Sequence, residues 1–402
     1  MINNVTFKEK IFLSVAFLYI IYIIFPLFAD ITGIPVYLPA LLVVTIISIL
    51  YPHVYKTKLF LWFFVYIGVI SLYIVFGKHI HINGLGQGMS PWNKLVIEAA
   101  WILPSMFIAE VLALCNSVKL YKSISYGSMI LLVISFLYVL PMLSANANCL
   151  REDMSSLSRP IGLPGYDLMH AYALMIFPLA LCTKNNNGII KLIYAFLVIL
   201  FSYIVTKTAV TTSLFLTLFT FVVVLIYSPN NRTRTVLMAL LCCFIILLLS
   251  YTGAFQSILE FLMPHFYGTA VYDKLQDMHE SLLKGYVVGD TISGRVDYHA
   301  QSIAAFARNP LIGSQGVGGH SKFMDVLGSM GIFGFVPYIM ILVYMLKSYQ
   351  LYVSVNTTKV YLFLSFVFAG VFLYTKGIFG GPGYLFMFVI VPSMVMLIDK
   401  GE

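Results

Sequence analysis

Long apolar runs, joined by short polar connections, fill most of this chain. A membrane-spanning helix needs roughly 20 mostly apolar residues. Runs of about this length occur near 11–29, 33–50, 58–77, 95–115, 122–143, 167–182, 190–206, 209–227, 235–252, 328–346, 359–376 and 382–398. Backbone amides inside hydrocarbon must be paired within their own segment, so these runs predict helices. The first run is followed at once by the second, without a small-residue cleavage site, so we expect a span and not a cleaved signal peptide.

The pattern therefore predicts an all-α, polytopic membrane protein with about 12 transmembrane helices in a single integral membrane domain, residues 1–402. Composition agrees with this prediction. Hydrophobic residues make up 60% of the chain, charged residues make up 10%, and the mean hydropathy is +0.93. These values are far from those of soluble domains, so they exclude a soluble globular protein.

Basic residues in the short connections predict the orientation of the chain. With the N-terminus inside, the cytoplasmic connections read YPHVYKTK, NSVKLYK, CTKNNNGIIK, SPNNRTR and KSYQLYVSVNTTK. Each of them carries basic residues and no acidic residue, as cytoplasmic loops usually do. The net charge of +8 is thus explained by topology and lipid headgroups. It does not indicate nucleic-acid binding, because there is no basic soluble domain to hold a nucleic acid.

One long connection, residues 254–320, is then predicted to lie on the extracytoplasmic face. Its segment VYDKLQDMHESLLKG has apolar residues at helical spacing, which predicts an amphipathic helix on the bilayer surface. These apolar positions are Val271, Leu275, Met278 and Leu282.

A second helix is predicted within TISGRVDYHAQSIAAFARNP, capped by Ser293 and ending before Pro310. His299, Ile303 and Phe306 are predicted to share one face of this helix. A glycine-rich stretch follows and predicts a flexible link, after which Ser321 can cap the next span. The glycines are Gly313, Gly316, Gly318 and Gly319.

Several cations are predicted to lie on the same outer face. Arg159 precedes a proline in SRPIGLPG, Lys207 lies in the short turn VTKTAV, and Arg295 lies in the long loop. Arg151 and Lys376 are further cations on this face. Cations at the ends of spans often do no more than reach lipid headgroups. Several of them together would bind a lipid diphosphate.

His320 is the candidate general base. It follows the glycines and directly precedes a helix, whose N-terminal amides and dipole favour an anion nearby. A neutral imidazole at that position could accept a proton near pH 7. The alternative is a surface histidine that only contacts the membrane interface.

The sequence predicts neither a metal nor another cofactor. It contains no DxD motif, and its nearest acidic pair, Glu152 and Asp153, lies in a polar loop. The five cysteines have no CxxC or cysteine/histidine spacing that would indicate zinc.

The segment SGRVDYHAQSIAAFARNPLIGSQGVGGHSKFMDVLGSMGIFG resembles the O-antigen polymerase and O-antigen ligase superfamily of bacterial membrane glycosyltransferases. That family shows S-G-R, a helix, N-P-x-x-G-x-G-x-G, an H-[NS] segment and a G-x-x-G that enters the next span. The matching positions are Ser293-Gly294-Arg295, Asn309-Pro310 with Gly313, His320-Ser321, and Gly331 with Gly334. The many-span layout with a large late outer loop extends the resemblance loosely over the rest of the chain.

Other parts of the family pattern are only partly matched. SRPIGLPG resembles the family's R-x-x-G element and adds Arg159 to the site. VTKTAV resembles an S-R-[GT] element but carries Lys207, which keeps the charge and loses the bidentate guanidinium. His299 stands where relatives often carry tryptophan.

The resemblance implies a C-type glycosyltransferase-like, metal-independent fold with an active site on the extracytoplasmic face of the bacterial inner membrane. Its donor would be an undecaprenyl-diphosphate-linked glycan, bound by Arg159, Lys207 and Arg295. His320 would activate the acceptor hydroxyl, and direct attack would invert the anomeric carbon. The catalytic residues implied are thus His320 and Arg295.

Three alternatives remain open at the level of the sequence. An O-antigen or capsular polysaccharide polymerase, which we favour, would use a lipid-linked repeat unit as acceptor, whereas an O-antigen ligase would use lipid A-core. A flippase or transporter of lipid-linked oligosaccharides usually carries ionisable groups near the midplane and internal repeats, and is less well supported. The sequence does not identify the sugar repeat, the linkage, the oligomeric state or a chain-length-regulating partner.

Overall fold

The computed structural model describes residues 6–77, 89–145, 166–208, 211–227, 254–268, 270–284, 290–375 and 380–399, and every regular element in these ranges is helical. The helices are α1 (Phe7–Ile24), α2 (Pro26–Thr32), α3 (Tyr37–Leu50), α4 (Lys58–Val75), α5 (Pro91–Cys115), α6 (Val118–Ala145), α7 (Tyr166–Asn185), α8 (Gly188–Lys207), α9 (Thr211–Ile226), α10 (Ala254–Leu262), α11 (Ala270–Lys284), α12 (Asp290–Arg308), α13 (Lys322–Gln350), α14 (Asn356–Thr375), α15 (Gly381–Leu385) and α16 (Val391–Asp399). A π-helical turn, Phe386–Ile390, joins the last two helices.

Seven helical segments of the described chain are long and apolar enough to cross a membrane, as in a polytopic membrane protein. They are Lys58–Val75, Pro91–Cys115, Val118–Ser144, Gly188–Lys207, Lys322–Gln350, Asn356–Thr375 and Gly381–Ile398. The predicted spans 33–50 and 209–227 correspond to shorter apolar helices, and the run 235–252 lies outside the described residues. The all-helical prediction is confirmed for the described residues, and the count of twelve spans stays a prediction.

The first predicted span is interrupted. α1 ends at Ile24 and α2 begins at Pro26, with Phe25 between them at φ −117° and ψ 83°. Proline has no amide hydrogen to donate, and it disfavours helical geometry in the residue before it. The run 11–29 is therefore not one continuous helix.

Among the seven candidate spans, the one with the highest mean hydropathy is not the most buried. Gly188–Lys207 has a mean hydropathy of 2.3 but only 28% of its span residues are buried, whereas Gly381–Ile398 has 1.9 and 89%. Lipid solvates apolar side chains as well as the protein interior does, so the outer helices of a bundle can be the most hydrophobic. By burial, the central helices include α5, α7 and the C-terminal segment formed by α15 and α16.

The predicted helices of the long loop are present as α11 and α12. On α11, Val271 is buried and Leu282 is exposed, and the helix packs against α10. Lys284 donates a hydrogen bond of 3.0 Å to Glu280, which lowers the pKa of the Glu280 carboxyl. The predicted amphipathic helix is confirmed as a helix, and its contact with a bilayer stays a prediction.

Candidate functional site

The connection between α12 and α13, residues 309–321, packs closely against both helices. The amide of Ser314 donates to the carbonyl of Gly328 at 2.8 Å, and the Ser314 hydroxyl donates to the carbonyl of Ala305 at 2.5 Å. Gly313 has φ +68°, and a Cβ atom there would lie 2.4 Å from the backbone carbon of Ser329. The prediction of a flexible glycine link is wrong at this position, because the glycine allows two backbones to touch.

A break in α13 completes this packing. Gly331 has φ +62° and ψ −161°, which interrupts the helix. The amides of Ile332 and Phe333 consequently donate to the carbonyls of Pro310 and Leu311, at 2.9 and 3.1 Å. The Asn-Pro and Gly-x-x-Gly parts of the sequence motif are thus joined by backbone hydrogen bonds.

Asp325 organises the turn that carries His320. Its buried carboxylate accepts hydrogen bonds from the Ser302 hydroxyl at 2.6 Å, the Gly319 amide at 3.1 Å and the Ser321 amide at 3.0 Å. The predicted cap is confirmed, because Ser321 accepts from the amide of Met324 at 3.2 Å. Asp325 therefore supplies, from within the chain, an anion that the N-terminus of α13 favours.

His320 lies at the surface, immediately before the cap of α13. Its imidazole ring stacks on the ring of Tyr298 from α12, with 4.1 Å between centroids and 25° between planes. Both neighbours of the histidine in the chain, Gly319 and Ser321, donate to the Asp325 carboxylate. The exposed imidazole of His320 is thus stacked on the Tyr298 ring, and hydrogen bonds to Asp325 restrain the backbone on both sides of it.

Arg295 lies within α12, but the predicted start of that helix is wrong. α12 begins at Asp290, so Ser293 is inside the helix and is not its cap. The end before Pro310 is confirmed, because α12 stops at Arg308. In the helical register, position 295 shares a face with Tyr298 and Ser302, the residues that contact the His320 turn.

The face of α12 that packs against α13 carries small residues. Ser302 and Ala305 are buried, whereas Ile303 is 51% exposed. His299 points to a different neighbour, with its ring 5.1 Å from that of Tyr374 at the end of α14. The face that carries His299, Ile303 and Phe306 is therefore not the one that packs on α13, because the glycine backbone favours small residues there.

Lys207 lies on a different helix from the residues of the His320 turn. Lys207 is the exposed last residue of α8, and its ammonium lies 5.6 Å from the centre of the Tyr203 ring. Among the helices described, α8 packs mainly on α7, with smaller contacts to α6 and α9. Arg159, Arg151 and Lys376 lie outside the described residues, so the predicted cluster of cations stays a prediction.

A buried ion pair beneath the turn was missed by sequence reasoning. Lys322, the first residue of α13, contacts Glu98 of α5 at 2.7 Å, and their side chains are 3% and 0% exposed. The Tyr66 hydroxyl donates to the same glutamate oxygen at 3.3 Å. A cation in the first turn opposes the helix dipole, which was a usable signal that Lys322 has an acidic partner.

The described residues contain no group of three or more histidine, cysteine or acidic side chains that could hold a metal ion. Cys115 and Cys182 are free thiols. The chemical groups of the described site are thus the imidazole of His320, the phenol of Tyr298 and the Asp325 network.

Comparison with known proteins adds no assignment. No protein-family model matches the chain, and no curated protein matches it significantly.

Proposed function

We propose that this protein is a membrane glycosyltransferase that transfers a growing glycan from a polyprenyl diphosphate to a lipid-linked repeat unit, as O-antigen and capsular polysaccharide polymerases do. The observation that carries the proposal is the His320 turn. It combines an exposed imidazole, an aromatic support and a restrained backbone within the segment that resembles this family.

In the proposed reaction, His320 takes the proton from an acceptor sugar hydroxyl. The oxygen then attacks the anomeric carbon, and the bond from that carbon to the lipid diphosphate oxygen breaks. The electron pair of that bond leaves with the diphosphate, and the anomeric configuration inverts. A positioned general base contributes about 10²–10⁴ in rate.

The leaving diphosphate needs positive charge, and Arg295 is proposed to supply it. Its place on the Tyr298 and Ser302 face of α12 supports this role. Arginine binds phosphate oxygens through two parallel N–H donors, whereas lysine offers a point charge. Arg159 and Lys207 are proposed to complete the donor site.

A transporter of lipid-linked sugars is the second candidate. Buried ionisable pairs in membrane proteins frequently belong to substrate or proton pathways. Glu98 and Lys322 form such a pair, and α13 is interrupted at Gly331. The amides of Ile332 and Phe333, released by this break, nevertheless donate to the carbonyls of Pro310 and Leu311, which gives the break a packing role.

Reconstitution with a single synthetic lipid-linked repeat unit tests the function. A polymerase produces a ladder of products, and a ligase produces none until lipid A-core is added. Movement of the intact repeat across the bilayer without glycan transfer would support the transporter instead.

The catalytic role of His320 is tested with a matched pair of variants. His320→Ala should lose transfer by at least about a hundredfold, because it removes the general base. His265→Ala changes another exposed histidine of the same loop and should retain wild-type transfer. Equal activity of both variants would remove His320 from the chemistry.

The proposed donor site predicts that Arg295→Lys lowers glycan transfer steeply, since lysine cannot make the bidentate contact with the diphosphate. Lys207→Arg should be tolerated, because it restores the residue that the family usually carries. The reverse result would assign the diphosphate to other cations.

Orientation is tested by labelling single cysteines in a variant without the native ones. A cysteine at the exposed position Leu283 of α11 should react with an impermeant reagent from outside the cell membrane. One at Lys191, in a connection predicted to be cytoplasmic, should react only after permeabilisation. The opposite pattern would contradict the proposed site.

A further inference from the structure

A cavity of about 640 Å³ lies at the end of α13 opposite His320. α13 has 29 residues, and its unbroken part after Gly331 corresponds to roughly 28 Å of helix, so the two sites lie at opposite ends of a candidate membrane span. The cavity is formed where α4 begins, α5 ends, α13 ends and α14 begins. Its volume is in the range of small-molecule sites.

Three lysines line this cavity: Lys58, Lys347 and Lys359. The ion pairs of the described residues include none of them. The N-terminus of α4 lies at the same place, and its cap residue Thr57 makes no side-chain capping hydrogen bond. Lysine ammonium groups and open helix N-terminal amides both favour a phosphate group.

A buried carboxylate lines the same cavity. Glu110 of α5 is 3% exposed, and its Oε2 atom is buried without a hydrogen-bond partner among the described residues. The hydroxyl groups of Ser348 and Thr57 are hydrogen-bond donors to the carboxylate, but no ion pair of the described chain includes it. An unpaired acid in a membrane protein is costly and is normally matched by a partner.

We propose that this cavity binds the headgroup of an aminophospholipid, phosphatidylethanolamine, from the leaflet opposite His320. The lysines hold the phosphate, and the primary ammonium donates to the carboxylate of Glu110. An anionic phospholipid would satisfy the lysines but would add negative charge beside an unpaired carboxylate. A choline headgroup has no N–H donor for Glu110.

The proposal does not depend on glycan transfer, because it rests on a different group of residues. Native mass spectrometry of the delipidated full chain in detergent provides the test, with phosphatidylethanolamine, its mono- and dimethylated forms, phosphatidylcholine and phosphatidylglycerol of identical acyl chains. Wild-type protein should bind the ethanolamine lipid about tenfold more tightly than the choline lipid, since one charge-assisted hydrogen bond is lost. Affinity should fall stepwise with methylation.

Variants separate the two halves of the headgroup. Glu110→Gln should abolish the preference for ethanolamine over choline while phospholipid binding persists. Lys359→Gln should weaken binding of every phospholipid, and Lys191→Gln, an exposed lysine outside the cavity, should change nothing.

The lipid series needs no variant, so it decides the matter even if Glu110→Gln does not fold. Equal binding of the ethanolamine and choline lipids by wild-type protein would overturn the proposal. A preference for phosphatidylglycerol, or an ethanolamine preference that survives Glu110→Gln, would overturn it as well.

Discussion

The two ends of α13 differ in how a buried charge is balanced, although a glutamate of α5 lies near each end. At the His320 end, Glu98 pairs with Lys322 at 2.7 Å, and both are buried. At the other end, Glu110 has no cationic partner in the described chain, while three lysines line the cavity beside it.

The difference indicates two roles: Glu98 stabilises the protein from within, whereas Glu110 is proposed to need a ligand. Each glutamate keeps one buried oxygen, Oε2, without a hydrogen bond among the described residues. The charge of Glu98 is nevertheless balanced by Lys322, so removal of Glu98 leaves the buried Lys322 ammonium without a counter-ion. Glu110 lacks that balance, and its removal should affect stability much less.

The largest expected effect is the loss of the buried ion pair. Glu98→Gln leaves the Lys322 ammonium buried without a carboxylate and should lower the free energy of unfolding by about 3–5 kcal/mol. Thermal unfolding in detergent measures this effect. The double variant Glu98→Gln with Lys322→Met should recover much of the loss, whereas additive losses would show that the two residues act separately.

The second effect concerns the turn that presents His320. Asp325→Asn replaces an acceptor of three hydrogen bonds by a group that carries its own donors, and should cost about 2–3 kcal/mol. It should also lower glycan transfer, because Gly319 and Ser321 are released on both sides of His320. Ser354→Asn, at an exposed position beyond the other end of α13, serves as the control. Unchanged stability and transfer in Asp325→Asn would contradict the described network.

The third effect tests the close backbone packing at this end. Gly313→Ala combines a positive φ with a Cβ position 2.4 Å from the Ser329 backbone, and should cost about 1–3 kcal/mol. Gly316→Ala also has a positive φ, but its Cβ would meet only the Arg308 side chain at 3.3 Å. The Gly316 variant should therefore lose less stability. Equal shifts in unfolding temperature would argue against the close packing of Gly313 on the Ser329 backbone.

The smallest effect belongs to the opposite end and completes the comparison. Glu110→Gln should change the free energy of unfolding of lipid-free protein by less than about 1 kcal/mol, because no ion pair is broken. Comparison of its unfolding temperature with that of Glu98→Gln is the measurement. A loss as large as that of Glu98→Gln would show that Glu110 has an internal partner of equal importance.

Local features of the site could be predicted, and distant contacts could not. The positions of His320 and Ser321 before α13 follow from capping preferences, which depend on neighbouring residues. The Tyr298 support, the Ser302 and Asp325 hydrogen bonds and the packing role of Gly313 had no comparably local signal. Their partners come from a second helix, and local spacing does not show which of its faces packs on α13.

The sequence by itself determined that this chain is helical and apolar enough for a membrane, because hydrocarbon demands internally paired amides and long apolar segments. It also determined the amphipathic α11 and the end of α12 before Pro310. Only the tertiary structure decided which charges meet. Glu98 and Lys322 are 224 residues apart in the chain, and local periodicity carries no information about a contact between helices that far apart.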